Sequence, residues 1–166
     1  MEIRLTRTRL IVLAALVAAG GVYLLIDWLV VTDRERVEQA VAGLARAVES
    51  GDPRAIEPYL ADDFRPRGLK PEEFATWYAG FIAVFPVQKV SLYDCTVAMD
   101  KSDPDRAAAT VMSIVVAKHP AGDFRLDWRL EFRRENKTEW KLELARAWLP
   151  LNGAEIDFRA AAQWAR

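Results

Sequence analysis

The chain has 166 residues, of which 52% are hydrophobic, and its 23 Lys and Arg residues nearly balance 24 Asp and Glu residues. A net charge of −1 with both signs interspersed excludes the general positive field that holds nucleic acid. One histidine and one cysteine exclude an intramolecular disulfide and the usual structural zinc site. The composition therefore predicts no nucleic-acid partner, no metal and no cofactor.

The first predicted element is a transmembrane helix over residues 10–31. Leu10 to Ile26 contains no charged residue, and the apolar character resumes after Asp27. The whole stretch has 22 residues, and a bilayer core needs about 20 in helical form. We therefore expect a single-pass membrane protein.

The charges on the two flanks of this stretch predict its orientation. Arg4, Arg7 and Arg9 precede it, whereas the opposite flank carries both signs. By the positive-inside rule residues 1–9 form a cytoplasmic tail, and the following domain lies on the far side. We expect a bacterial inner membrane protein with a periplasmic domain. A cleaved signal peptide is the alternative, but the apolar run continues past the small residues 18–21 where cleavage would occur.

Three helices are predicted after the anchor. The first carries an apolar stripe at helical spacing, Val37, Val41, Leu44 and Val48. Gly51 ends this helix because glycine enters the left-handed region easily. A short second helix is predicted from Asp52 to about Leu60. The third begins near Pro71 and ends at Pro86, after a wide aromatic stripe.

Four strands with short connections are predicted over residues 87–99, 107–118, 124–133 and 140–149. In the third, five apolar side chains point to one face: Phe124, Leu126, Trp128, Leu130 and Phe132. Short connections favour an antiparallel meander, and helices followed by such a sheet form an α+β layer. Residues 151–166 make a C-terminal tail, in which Ile156, Ala160 and Trp164 share one helical face and suggest a short terminal helix.

Residues 49–64 carry a pattern seen in a known superfamily. They read Glu49-Ser50-Gly51-Asp52, then Ile56-Glu57-Pro58-Tyr59-Leu60-Ala61-Asp62-Asp63-Phe64. This pattern resembles the SnoaL-like and nuclear transport factor 2-like (NTF2-like) superfamily over residues 34–150. The resemblance implies a cystatin-like cone, in which a curved antiparallel sheet wraps around about three helices. It implies no activity, because that fold hosts isomerases, dehydratases, binding modules and inert scaffolds.

No catalytic set can be placed on the chain. His119 falls in a predicted hairpin turn, where a histidine is usually solvated and away from any pocket. Asp62 and Asp63 are adjacent, and adjacent carboxylates diverge, so they are interpreted as turn or capping residues. Cys95 lies on a strand and is interpreted as a small core residue.

Six side chains are candidates for lining a pocket in the cone. Five are aromatic and fit a filled core equally well: Tyr59, Trp77, Tyr78, Trp128 and Trp148. The sixth is Arg146, which under strict alternation shares a face with Trp140, Leu142 and Leu144. A buried guanidinium there would need an anionic partner. The alternative is a bulge after Leu144, or an arginine that reaches solvent at the end of the sheet.

The sequence therefore favours a membrane-tethered, non-catalytic binding or assembly module of the NTF2-like type. Its expected partners are the membrane and either another protein or further copies of itself. The alternative is a SnoaL-like enzyme or carrier that holds a small apolar ligand. That alternative requires an enclosed cavity with at least one carboxyl or tyrosine of shifted pKa.

Overall fold

The structure is a computed structural model that describes residues 16, 20, 31–64, 71–118 and 122–157. The chain divides into two compact units after Thr32, and the elements below belong to the second unit. Within the described residues, no helix is long and apolar enough to cross a membrane. Apart from residues 16, 20 and 31, the predicted anchor lies outside the described ranges, as do the cytoplasmic tail, His119 and residues 158–166.

Two α-helices, one turn of 3-10 helix and four strands form the described part of this unit. In chain order they are α1 (Asp33–Glu49), the 3-10 helix (Glu57–Tyr59), α2 (Pro71–Val84), β1 (Val87–Met99), β2 (Arg106–Ala117), β3 (Phe124–Arg134) and β4 (Trp140–Trp148). All neighbouring strands are antiparallel, in the order β1-β2-β3-β4. The predicted α+β class and the antiparallel meander are confirmed.

The second predicted helix is replaced by successive tight turns. Backbone N–H groups of Ala55, Glu57 and Tyr59 each donate to the carbonyl three residues earlier, at 3.0 to 3.1 Å. An α-helix would require the N–H of Pro58 to donate as well, and proline has none. The segment therefore forms a single 3-10 turn instead of an α-helix.

One face of α1 packs on the sheet and supplies much of the core. Its buried side chains are Val37, Ala40, Val41, Leu44, Ala45 and Ala47. Asp33 and Glu35 lie in the first turn, where carboxylates complement the helix dipole. At the other end, Ser50 Oγ donates to the Ala47 carbonyl at 2.7 Å, and Gly51 has a φ of 68°.

The core face of the sheet is the face that packs against α1 and α2. The strand residues buried there are Val87, Val97, Ala107, Ala109, Val111, Leu130, Phe132, Trp140, Leu142 and Ala145. Phe74, Tyr78 and Ile82 of α2 join the same cluster. Phe132 is 1% exposed, so truncating it to alanine would cost about 3–5 kcal/mol of stability.

Two bulges change which side chains reach this face. In β1 the pairing moves from Tyr93 to Thr96 while β2 advances by only two residues, and Asp94 adopts a φ of 52°. In β4 Glu143 is the extra residue, since Leu142 pairs with Phe132 and Leu144 pairs with Glu131. Each bulge bends its strand and reverses the alternation beyond it.

Chain segments outside the four strands cover the free edge of β4. Leu60 bridges Leu142 in parallel, and the Ala61 N–H donates to the Leu142 carbonyl at 3.0 Å. Further along, Glu155 bridges Trp148, so the described start of the C-terminal tail lies along β4 as an extended segment.

Candidate functional site

The six candidate pocket residues lie on four different elements. Tyr59 is on the 3-10 turn, Trp77 and Tyr78 are on α2, Trp128 is on β3, and Arg146 and Trp148 are on β4. The bulge at Glu143 distributes the candidates between the core face and the opposite face of the sheet.

Aromatic rings follow α2 along its length. The ring of Trp77 stacks on that of Phe81 at 5.3 Å, and Phe81 stacks on Phe85 at 5.2 Å. Phe85 meets the edge of Phe124 on β3, at 6.1 Å between centroids. This row joins the helix to the start of β3, so Trp77 contributes to packing at a half-buried position.

Tyr78 places a hydroxyl group inside the core. Its side chain is only 5% exposed, and its ring stacks on Phe74 at 5.7 Å. Within the described residues the hydroxyl has no hydrogen-bond partner. Burial, reinforced by the negative charge of Asp52, raises the pKa of Tyr78 to about 12. This hydroxyl therefore stays protonated at neutral pH, as a donor and not as a base.

The other core-side candidates have partners within the protein. The indole Nε1 of Trp128 donates to Oγ of Ser113 at 2.8 Å, which satisfies a serine that is 2% exposed. The ring of Tyr59 lies against Gly43 of α1. The hydrogen bond between Trp128 and Ser113 satisfies polar groups that burial removes from water. The contact between Tyr59 and Gly43 packs the 3-10 turn on α1.

Arg146 and Trp148 lie on the opposite face of the sheet from Leu142. Strict alternation does not hold beyond Leu142, because Glu143 occupies an additional position in β4. The bulge that was the alternative is present, but it follows Leu142 instead of Leu144. Ala145 and Ala147 take the core-facing positions and are buried, whereas Arg146 is exposed.

We call the side of the sheet that faces away from α1 and α2 the outer face. The register across all four strands builds two adjacent rows of side chains on it. The first, the Tyr93 row, contains Tyr93, Met112, Asp127 and Trp148; the second, the Arg129 row, contains Thr96, Thr110, Arg129 and Arg146. The flanking rows are Ser91, Ile114 and Arg125 on one side, and Ala98, Ala108, Glu131 and Leu144 on the other.

The Arg129 row sets two like charges directly opposite each other, an arrangement that destabilises a strand pair. The nearest carboxylate to Arg129 is Glu131, at 3.6 Å with the arginine side chain 56% exposed. Within the described residues, Arg146 makes no ion pair or hydrogen bond. Tyr93 is 45% exposed beside this pair. Tyrosine, tryptophan, methionine and arginine are the residues enriched in protein interfaces.

The sequence did not point to the Tyr93 row, because the four residues come from four strands and only the register brings them together. Tyr93 and Cys95 occupy alternate positions, yet the bulge at Asp94 sends Tyr93 to the outer face and leaves Cys95 packed against the core. Burial raises the pKa of the Cys95 thiol. No group of side chains within the described residues is suited to hold a metal ion.

Comparisons with known proteins support the fold and go no further. No protein-family model matches the chain, and no curated protein matches it. Among solved structures, an NTF2-like protein from Cytophaga hutchinsonii is 15% identical, with a TM-score of 0.58 over 70% of this chain and 98% of that one.

Two further neighbours have the same architecture. An uncharacterised protein with a cystatin-like fold from Caulobacter vibrioides is 13% identical, with a TM-score of 0.57 over 78% of this chain and 93% of that one. The CaMKII hub of S. rosetta is 21% identical, with a TM-score of 0.56 over 72% and 98%. The unit from Asp33 therefore has the NTF2-like, cystatin-like fold that the sequence pattern implied.

Proposed function

We propose that this chain is a membrane-tethered, non-catalytic binding or assembly module. The observation that carries the proposal is the outer face, where exposed Tyr93 and half-buried Trp148 adjoin an arginine pair without a full set of counter-charges. A sheet face of this composition is suited to contact another protein, because aromatic and arginine side chains contribute most to interface energies.

The polar groups on the core side support a binding role. Ser113 is occupied by Trp128, and Tyr78 has a pKa too high for a base at neutral pH. General acid–base catalysis needs a group whose pKa lies near the working pH. Trp128 and Ser113 satisfy each other on the core side, and the outer face carries the exposed side chains of Tyr93 and Arg146.

The tether is proposed from the sequence. Residues 10–31 would anchor the chain in the inner membrane of a bacterium, with residues 1–9 in the cytoplasm and the domain in the periplasm. Only Thr32 separates that stretch from α1. Confinement of this kind raises the effective concentration of a partner in the same membrane, which favours assembly through a modest surface.

The start of α1 is fixed to the sheet in a way that suits such a tether. Nη2 of Arg134 donates to Oδ2 of Asp33 at 2.8 Å, and the same guanidinium lies 4.9 Å above the Trp140 ring. Arg36 donates to the carbonyl of Lys137 at 3.2 Å. A force on the first turn of α1 would therefore be transmitted to the end of β3 and the start of β4. A CaMKII hub has a similar fold. From this similarity we propose assembly for this chain and nothing further.

Purification of the full chain tests the proposal. Alkaline carbonate should leave it in the membrane fraction, and external protease should degrade the domain in spheroplasts while sparing it in intact cells. After solubilisation in a mild detergent we expect an oligomer, or co-purification of a membrane partner. A chain that carbonate extracts, or one that remains monomeric without partner, contradicts the proposal.

The second candidate function is a carrier or enzyme for a small apolar ligand, and the buried hydroxyl of Tyr78 favours it. A ligand with an acceptor atom would satisfy this donor. An apolar fluorescent probe titrated against the full chain in detergent tests the idea. Tyr78→Phe should weaken probe binding several-fold, whereas Tyr93→Phe on the outer face should not. Equal binding by both variants rules out a ligand held by Tyr78.

A further inference from the structure

We infer that the hairpin turn that follows β4 inserts into the surface of a lipid bilayer. We call residues 149–154, which form this turn, the tip. The inference rests on the proposed membrane tether and adds a second contact with lipid, beyond the end of the outer face. It follows from the exposure of the tip, from its lack of charge and from its hydrogen bonds.

The tip holds two leucine side chains in solvent. Leu151 is 101% exposed and Leu149 is 40% exposed. A single exposed leucine is common on protein surfaces, but these two flank Pro150, and no charged residue occurs from Ala147 to Ala154. Charged residues make up 28% of the whole chain. An exposed apolar surface of this kind is typical of a place where a protein meets a partner or a membrane.

The backbone of the tip is hydrogen-bonded internally. The N–H of Leu149 donates to the carbonyl of Ala154, and the N–H of Gly153 donates to the carbonyl of Leu149, both at 2.9 Å. The N–H of Ala154 donates to Oδ1 of Asn152 at 3.0 Å, and Pro150 has no N–H to satisfy. Backbone polar groups that enter lipid need partners within the protein. These donors therefore keep their partners when the tip leaves water.

The side chains follow the order that a bilayer surface favours. Trp148 pairs with Glu155 at the base of the hairpin, and Leu151 lies three residues further along the chain. At about 3.4 Å per residue, the leucine reaches up to about 10 Å beyond the indole. Tryptophan is enriched at the level of the lipid headgroups, whereas leucine is favourable at greater depth. Segments that lie in the interface are typically buried by about 5–10 Å, which this hairpin can reach.

Charged residues surround the base of the hairpin and limit how far it can enter. Arg146 precedes the uncharged stretch, and Glu155 follows it. On β3, Arg125 is exposed close to the base, since Asp127 pairs with Trp148. Both signs are present, so these residues do not form the basic patch that attracts anionic lipid. Insertion should therefore depend on the two leucines and end at the charged residues.

The composition of the tip favours lipid over a pocket in another protein. Leucine is under-represented among the residues that dominate protein interfaces, where tryptophan, tyrosine and arginine prevail. Those residue types occur on the outer face instead, as Tyr93, Arg129 and Arg146. In a lipid environment, by contrast, leucine is among the most favourable residues.

The tether explains how so small an apolar surface can be sufficient. Two leucines would hold a free protein on a membrane only weakly, because stable attachment normally needs more than one signal. A chain that is already confined to the membrane meets the lipid at a high effective concentration. Insertion of the tip then becomes an intramolecular step, which a modest apolar surface can drive.

Fluorescence quenching in nanodiscs tests the inference on the full chain. Cys95→Ala removes the native thiol, and Ala154→Cys, at an exposed position of the tip, carries an NBD dye in nanodiscs of phosphatidylcholine with one chain per disc. Lipid with a nitroxide near its headgroup should quench this dye several-fold more strongly than a dye at Lys101→Cys, and iodide should quench it several-fold less. Added phosphatidylglycerol should change either value by no more than about two-fold, because the tip carries no charge.

The dye at Lys101→Cys is a stringent control. Lys101 is exposed in the turn between β1 and β2. That turn is held to the start of α1, because Arg134 forms ion pairs with both Asp105 and Asp33. If the tether alone brought the domain into lipid, the dye in this turn would be quenched as strongly as the dye in the tip.

Two substitutions in the labelled Ala154→Cys chain test the role of the leucine. Leu151→Asp places a charge at the end of the tip and should reduce quenching by the nitroxide lipid to the level of the Lys101→Cys control. Leu151→Met keeps an apolar side chain of similar size and should retain the quenching. Far-ultraviolet circular dichroism establishes that each variant is folded.

The outcomes separate this inference from the proposed function. Strong quenching at position 154 that Leu151→Asp abolishes and Leu151→Met retains supports insertion. Equal quenching at positions 154 and 101, or quenching that Leu151→Asp leaves unchanged, overturns it while a chain that resists carbonate keeps its tether. Protection from iodide in native membranes but not in nanodiscs would assign the tip to a protein partner and also overturns it. A chain that carbonate extracts overturns both proposals.

Discussion

Gly43 lies directly beneath the ring of Tyr59, so that the 3-10 turn packs on the middle of α1 without an intervening side chain. A Cβ atom at Gly43 would lie 2.6 Å from Cζ of Tyr59 and 2.7 Å from its hydroxyl oxygen. Glycine in a helix interior normally costs about 0.5–1 kcal/mol relative to alanine. Here it allows a close approach that no other residue permits.

The first prediction concerns Gly43→Ala. We expect this substitution to destabilise the full chain by about 1–3 kcal/mol, because the methyl group forces the Tyr59 ring out of its position. Urea denaturation in detergent, followed by circular dichroism, measures the change. In a Tyr59→Ala background the same substitution should become neutral or stabilising by up to about 1 kcal/mol, through helix propensity.

Gly80 of α2 provides the control for this pair. Among the residues that the structure describes, and apart from the helix's own backbone and the two chain neighbours, no atom lies within 4 Å of the Cβ that alanine would add there. Gly80→Ala should therefore stabilise the chain, or leave it unchanged, in either background. Equal effects of alanine at Gly43 and Gly80 would show that the contact with Tyr59 carries no free energy.

The second prediction concerns alkaline pH. Burial raises the pKa of Tyr78 from its ordinary value of 10.0 to about 12 in the folded chain. Between these values the unfolded chain loses the proton first, so the free energy of unfolding falls as pH rises from 10 to 12. The slope from this group is at most about 1.4 kcal/mol per pH unit. Tyr78→Phe should show a shallower loss over this range.

Absorbance at 295 nm gives an independent measure of the same group. The difference between titrations of the wild type and Tyr78→Phe should contain one tyrosine that ionises near pH 12. Asp52→Asn should lower that pKa, because the charge of Asp52 adds to the effect of burial. A normal pKa for Tyr78 would mean that its hydroxyl is solvated.

The third prediction concerns the contact between α1 and β1. Oε1 of Glu49 accepts a hydrogen bond from the backbone N–H of Val90 at 2.7 Å. Glu49→Ala leaves this donor without its acceptor and should cost about 1–3 kcal/mol in urea denaturation. Glu49→Gln keeps an oxygen acceptor and should cost clearly less.

Glu38→Ala is the matched control, since Glu38 pairs with Arg34 on the helix surface, where the two side chains are 40% and 59% exposed. Such a pair contributes about 0.5 kcal/mol or less. If Glu49→Ala were as mild as Glu38→Ala, the hydrogen bond to Val90 would have no net effect on stability.

The fourth prediction concerns the loop that follows the 3-10 turn. The two hydrogen bonds from Arg133 to Asp63 hold this loop against β3, and they raise the pKa of Arg133 further. Asp63→Asn should weaken this contact and accelerate hydrogen exchange at the Ala61 amide several-fold. The Val97 amide in β1 serves as the internal reference and should be unaffected. Uniform acceleration of both amides would indicate global destabilisation instead of local opening.

The sequence predicted the strands well because their alternation is strong. β1 has the predicted limits, Val87–Met99, and the alternation within β3 is confirmed from Phe124 to Arg133. Apolar side chains at every second position can be buried together only in an extended strand. The strands can therefore be predicted from a local pattern, and a single sequence is enough to show that pattern.

The sequence could not predict the side of the sheet to which Arg146 belongs. A bulge depends on how two strands pair, and Glu143 is marked as the extra residue only by the register with β3. The presence of a guanidinium in an apparently apolar row was the one available indication. The sequence could not predict the rows on the outer face for the same reason, because they join residues from positions 93 to 148 that only the register brings together.

The edges of the sheet have a consequence for copies of this chain at high local concentration. Bridges from Leu60 and Glu155 occupy the free side of β4, and the left-handed residue Asp94 interrupts β1. An interrupted or covered edge resists the addition of strands from neighbouring molecules. Crowded copies would therefore resist growth into fibrils by edge pairing, and contacts between them would favour assemblies of fixed size.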